Sequence, residues 1–139
     1  MAFVNLGAYQ TEPSLAAATS ANGTERTATT PFSASKAHPG SIVAMCVSAI
    51  TTSSVVATFK PQVSNDGSTW FDLKLPNNAS NVSSAAGTGS PVTSRFALDC
   101  SAASSFKFFR CNATLSGAAT AGADQTTVDV AYLRFDELE

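Results

Sequence analysis

Along most of this chain apolar positions alternate with polar ones, and helix-spaced apolar positions are nearly absent. A period of two marks half-buried strands. The β-branched and aromatic runs are separated by Gly, Asn, Pro and Ser, the residues of turns. The pattern predicts strands near 3–8, 25–32, 41–50, 55–64, 68–74, 92–99, 105–114 and 126–135. Leu15-Ala16-Ala17-Ala18 has the makings of one helical turn, which Thr19-Ser20-Ala21-Asn22-Gly23 stops. The expected fold is all-β: a single-domain β-sandwich or jelly roll of about eight antiparallel strands. Residues 1–36 are poorer in core-forming positions, so they are expected as an extended N-terminal arm with the first strands, and 37–139 as the sandwich.

Some runs say more. Ser41–Ile50 is apolar on both faces (Ile42, Val43, Ala44, Met45, Cys46, Val47), so it is expected at the centre of a sheet or under a cover on its outer side. In the next run Val55, Ala57, Phe59 and Val63 share one face, and Thr58, Lys60 and Gln62 the other. Pro61 lacks a ladder donor and predicts an edge or a bulge there. Val63-Ser64-Asn65-Asp66-Gly67-Ser68-Thr69-Trp70-Phe71-Asp72-Leu73 reads as strand, tight turn, strand. Asn65 and Asp66 bond their own backbone, and Gly67 supplies a positive φ. Trp70, Phe71 and Leu73 are expected to return the chain to the core. Residues 76–91 and 116–125 are small and polar and are expected as loops. In the next strand Phe106, Phe108 and Arg110 alternate with Lys107, Phe109 and Cys111, and the aromatics are expected in the core.

Composition narrows the function. Charged residues are 13% of the chain, about half the usual ~25%, while Ser and Thr together are 35 of 139 and the net charge is -2. Nucleic-acid binding needs a concentrated basic footprint, which is absent, so no nucleic-acid partner is expected. No run of 18 apolar residues exists, so no membrane partner is expected either. The N-terminus shows neither a basic segment nor a continuous apolar one, so no secretory signal is expected. Cys46, Cys100 and Cys111 are then expected as reduced, buried thiols, although Cys100 and Cys111 can pair if their strands are neighbours.

Catalytic sets are hard to assemble. His38 lies in the turn-like Lys36-Ala37-His38-Pro39-Gly40, and no Gly-x-Ser-x-Gly elbow supports a serine triad. Asp66 and Asp72 are explained by the turn and by an outward strand position. Asp99, Asp124 and Asp129 stand alone among neutral residues. Calcium held by Asn65, Asp66 and loop carbonyls is conceivable, but the cysteines and the single histidine lack zinc spacing. No enzyme, cofactor or metal is therefore expected. Trp70, Tyr9, Tyr132 and the phenylalanines can serve either a core or a sugar platform. Arg95, Lys107, Arg110 and Arg134, spread over the last three strands, can form an outward basic strip. Candidate partner contacts are Phe3, Val4, Leu6 and Tyr9 of the arm, with Arg95, Arg110 and Arg134.

The run Ser64-Asn65-Asp66-Gly67-Ser68-Thr69-Trp70-Phe71-Asp72-Leu73 resembles a hairpin of small β-sandwich proteins in tailed-bacteriophage structural modules. Phe106-Lys107-Phe108-Phe109-Arg110-Cys111 is similar to a later strand of the same proteins. The resemblance covers about a third of the chain, and the hairpin also occurs in discoidin-like sugar-binding modules. It carries over the turn (Asn65, Asp66, Gly67) and a core Trp70, and no catalytic residue. It implies a non-enzymatic virion protein made in the host cytoplasm: a capsid decoration (cement) protein on the capsid exterior, bound to the major capsid protein and itself a homo-oligomer, by preference a trimer. Phage tail, fibre or head–tail joining components share these features, and a carbohydrate- or receptor-binding module is the remaining alternative.

Overall fold

The computed structural model describes residues 3–6 and 10–138, with side chains at 12 and 14–134. The chain is all-β, as two antiparallel sheets packed face to face. Its strands are β1 (Phe3–Leu6), β2 (Gln10–Ala18), β3 (Glu25–Arg26), β4 (Phe32–Ser33), β5 (Gly40–Ile50), β6 (Val56–Ser64), β7 (Phe71–Asp72), β8 (Val82–Ser83), β9 (Val92–Asp99), β10 (Phe108–Ser116) and β11 (Gln125–Leu138). Two 3-10 turns, Ala34–Ala37 and Ser101–Ser105, are the helical pieces among the described residues. The first sheet runs β1-β11-β5-β9, with β2 also on β11. The second runs β3-β10-β6-β7, with β4 on β10 and β8 on β6.

The core lies between the sheets and follows the alternation. Ile42, Ala44, Cys46 and Ile50 of β5 face Ala57, Phe59 and Val63 of β6 and Phe109, Cys111, Ala113 and Leu115 of β10. β5 is central, between β11 and β9, as one of the two expectations for this run has it. Its odd positions Val43, Met45 and Val47 are half-buried on the outer face.

Several local expectations give way to tertiary pairing. Leu15–Ala18 continues β2 instead of turning, because the edge of β11 takes up its backbone groups and Leu15 is buried opposite Val128. The segment expected at 25–32 shrinks to β3 and β4, both paired with β10. From Gln10 onward the residues expected as an arm contribute to both sheets, with Leu15, Phe32 and Ala34 in the core. Pro61 does not make β6 an edge, since β10 pairs along its whole length. On the other side β8 covers Thr58 and Phe59, and β7 covers Gln62 and Val63. In a strand a residue's N–H and C=O point to the same side. The Pro61 carbonyl accepts the Leu73 N–H at 3.0 Å, so its missing donor faces the gap between the two short strands.

One polar joint ties the sheets, and a second ties the loop after β5 to the loop before β11. Arg26 of β3 reaches the first sheet, where its guanidinium donates to the Thr126 carbonyl and hydroxyl, each at 2.9 Å, and to the Ala16 and Ala18 carbonyls. Asp124, fully buried, accepts the Thr51 and Thr52 N–H groups on Oδ1 at 2.8 and 2.9 Å. Its Oδ2 accepts the Thr120 N–H at 2.7 Å. Burial pushes its pKa up, but these hydrogen bonds outweigh the burial and hold it at about 2.

Candidate functional site: the 64–72 hairpin and the sheet face beside it

The turn after β6 is rigid because its side chains replace the missing ladder. Gly67 takes φ 77°, which a side chain would strain. The Ser64 hydroxyl accepts the Gly67 N–H at 2.9 Å and donates to Asp66 Oδ1 at 3.0 Å. That same oxygen accepts the Ser68 and Thr69 N–H groups at 2.8 and 2.7 Å. The Thr69 and Ser68 bonds, then Ser64, hold the Asp66 carboxyl well below the usual carboxylate range. Asn65 Oδ1 accepts the Lys107 N–H at 3.2 Å and ties the turn to the approach of β10. The turn is thus formed by Asn65, Asp66 and Gly67 as the sequence suggests.

Trp70 does not enter the core. Phe71 pairs with Val63 and Asp72 with Gln62, so Trp70 falls on the outward side, where it is half-buried. The Arg110 guanidinium lies 4.1 Å from its ring centroid, a cation–π contact. Gln62 organises the face between them. Its Oε1 accepts Arg110 Nε at 2.9 Å, Arg110 Nη2 at 2.7 Å and Asn112 Nδ2 at 2.9 Å, and its Nε2 donates to Asp72 Oδ1 at 2.9 Å. Gln62 and Asn112 are both buried, and Asn112 Oδ1 has no partner among the described residues.

Among the described residues Phe71 is the large apolar side chain left in the open, 61% exposed. Beside it Asn65, Asp66, Thr69 and Phe106 line a shallow hollow of about 240 Å³. Past Asn65 and Phe106 a second hollow, about 560 Å³, is lined by Ser35, His38, Ser104, Ser105 and Lys107. The shared lining residues join the two into one groove of aromatic rings, hydroxyls and amides. Such a surface suits recognition by stacking and hydrogen bonding.

The other expected contact residues do not converge on it. Arg95 lies on β9, whose Leu98 is buried and whose Phe96 packs on the core, so Arg95 points outward from the first sheet. Arg110 points outward from the second sheet, on the opposite side of the molecule. Arg134 stands near the end of the β5 pairing, opposite Gly40. No basic strip forms, because the last three strands divide between two sheets. In β10 the inward set is Phe109, Cys111, Ala113 and Leu115, so Phe106 and Phe108 are half-buried, not core centres. Phe3, Val4 and Leu6 lie on β1, whose backbone pairs Phe3–Leu6 with Phe135–Leu138. Tyr9 lies outside the described residues.

His38 is exposed on the groove wall. All three cysteines are free and buried, and Cys111 faces Cys46, not Cys100. Among the described residues no three His, Cys, Asp or Glu side chains gather as a metal site. Sequence reasoning missed the structural roles of Asp124, Arg26, Gln62 and Asn112. The one available signal was a lone acid, Asp124, in a stretch of Ala, Gly and Thr. Comparison with protein-family models, curated proteins and solved structures finds no match.

Proposed function

We propose that this chain is a non-enzymatic virion structural protein, a capsid decoration protein that binds the exterior of a shell of major capsid protein. The observation carrying the proposal is that the two sequence motifs resembling phage structural proteins fold against each other. Trp70 of the hairpin stacks on Arg110 of the later strand, and Gln62 is bonded to both Arg110 and Asp72. The resemblance thus falls on one packed unit of the second sheet, not on two unrelated stretches. A second feature suits docking. β11 pairs with β5 only as far as Arg134 and with β2 as far as Tyr132, whereas Phe135–Leu138 pair with β1. The backbone there forms a two-stranded ribbon past the other strands of its sheet, a shape able to add to a partner's sheet. Repetition of modest contacts over many shell sites would supply avidity, and assembly as a trimer would multiply it.

The test is sedimentation of the purified protein with expanded shells stripped of small proteins. Pelleting that saturates at a fixed ratio to capsid subunits supports the reading. Protein that stays in the supernatant at every concentration refutes it. One observation favours a second reading, a glycan- or receptor-binding module: the exposed Phe71 beside the groove of Asn65, Asp66, Thr69 and Phe106. Saturable glycan binding lost in Phe71→Ala would select it.

A further inference from the structure

Cys46 and Cys111 sit on different sheets, at the middle of β5 and of β10, and their sulfurs face each other across the core at 3.8 Å. Both are fully buried within the apolar cluster. Cys46 lies opposite Val128 and Phe96 in its own sheet, and Cys111 opposite Pro61. A disulfide needs sulfurs about 2.05 Å apart, so each has to shift by about 0.9 Å. Cys100, at the end of β9, is held by its backbone N–H on the Ile42 carbonyl at 2.8 Å, and burial pushes its thiol up to about 12. The Cys111 thiol is raised well above its ordinary value by the Cys46 contact and by burial. The folded interior therefore keeps Cys100 and Cys111 as thiols, and burial shields all three cysteines from reagents.

We infer that Cys46 and Cys111 are a disulfide-forming pair that locks the two sheets together when the chain folds or opens in the presence of a small-molecule disulfide oxidant. One protein thiolate attacks the oxidant's S–S bond, forming a mixed disulfide and releasing one small thiolate. The second protein thiolate then attacks the protein sulfur of that mixed disulfide and releases the other small thiolate. The two protons lost by Cys46 and Cys111 balance the two small thiols formed, and the two electrons pass to the oxidant. The bridge spans 65 residues of sequence and fixes β5 on β10. In the chain-entropy account a loop of that length gives a rise of about 15 °C in Tm. The inference is independent of the virion reading.

The test is refolding of the full chain from denaturant in oxidised and reduced glutathione, followed by tryptic mapping without reductant. Cleavage separates the three cysteines into peptides 37–74, 96–107 and 111–134. The expected result is a protein lighter by two hydrogens, a single linked pair 37–74/111–134, and a Tm gain that reductant abolishes. Cys100→Ala should still oxidise, and Cys46→Ala and Cys111→Ala should not. Three free thiols after refolding, or a linkage through Cys100, overturns the inference. Because the map is read on the unaltered protein, it decides the matter even if a variant fails to fold.

Discussion

Replacing Asp124 by alanine orphans three backbone N–H groups at once. Its carboxylate holds Thr51 and Thr52, just after β5, to Thr120 in the loop before β11, and the residue is 0% exposed. A buried donor left without its acceptor costs about 1–3 kcal/mol, so three give about 3–9 kcal/mol. Thr51 and Thr52 are half-buried and Thr120 is exposed, so water can reach part of the vacated site. The lower end applies, about 3 kcal/mol, or about 10 °C in Tm for a chain of this size. Asp124→Asn keeps one acceptor but sets an amide N–H against a backbone donor, and should cost about half as much. Urea unfolding followed by fluorescence of Trp70, the single tryptophan, reads the difference.

The pH dependence is a second handle on the same residue. A folded-state pKa of about 2, below the ordinary value of 3.8, makes the ionised carboxylate stabilising. That contribution is fully present above the unfolded pKa and is lost as pH falls through the folded one. The stability gap between wild type and Asp124→Ala should therefore be flat above about pH 5 and shrink between about pH 4 and 2. Asp66, also depressed, is common to both proteins and cancels in the gap. A variant within about 1 kcal/mol of wild type, or a gap that does not change with acid, would refute the reasoning.

Arg110→Ala removes the Trp70 stacking and two bonds to Gln62, and should cost about 2 kcal/mol with a shift in Trp70 emission. Arg110→Lys should recover less than half, since an ammonium has no fork, and urea titration ranks the two. Gly67→Ala, at φ 77°, should cost about 1–2 kcal/mol in the same titration. Gly87→Ala places a Cβ 2.0 Å from the Thr52 carbonyl oxygen and should cost at least about 2 kcal/mol, read as a fall in Tm.

The longer strands were legible because their alternation and their burial agree. Positions 55, 57, 59 and 63 face the core as their spacing predicts, and 41–50, apolar on both faces, turns Ile42, Ala44, Cys46 and Ile50 inward. Where two faces carry similar residues the alternation loses its power. In 106–111 each set mixes aromatics with one cation, and only the downstream Ala113 and Leu115 reveal which parity is inside. Trp70 misled for a different reason: size suggests burial, but register with Gln62 turns it outward, and Arg110 covers it instead of the core. Leu73 and Leu75 do the burying that Trp70 and Phe71 were expected to do. Ala-rich β2 was illegible locally, since its strand character comes from β11, more than 100 residues later. The groove needed three separate segments, 35–38, 65–71 and 104–107, and no single stretch announces it.

These placements also limit where the molecule can act. The outer face of the second sheet is polar, but most of its groups are already engaged. Gln62 accepts three donors and gives one, Lys60 pairs with Glu25 at 3.1 Å, and Thr58 bonds Ser83 at 3.0 Å. A partner binding there must break those bonds or match them, at a cost of about 1–3 kcal/mol for each group left unpaired. The hairpin differs. Its turn is fixed by bonds among its own residues, while Phe71 and the groove beside it remain accessible. Binding at a surface already held in shape loses little ordering entropy, so even a small apolar contact gives net affinity. Phe71→Ala should therefore weaken attachment to a partner without loss of stability, whereas Arg110→Ala should do the reverse. If shell or glycan binding instead tracks Arg110 and ignores Phe71, the outer sheet face is the docking surface and the hairpin only its support.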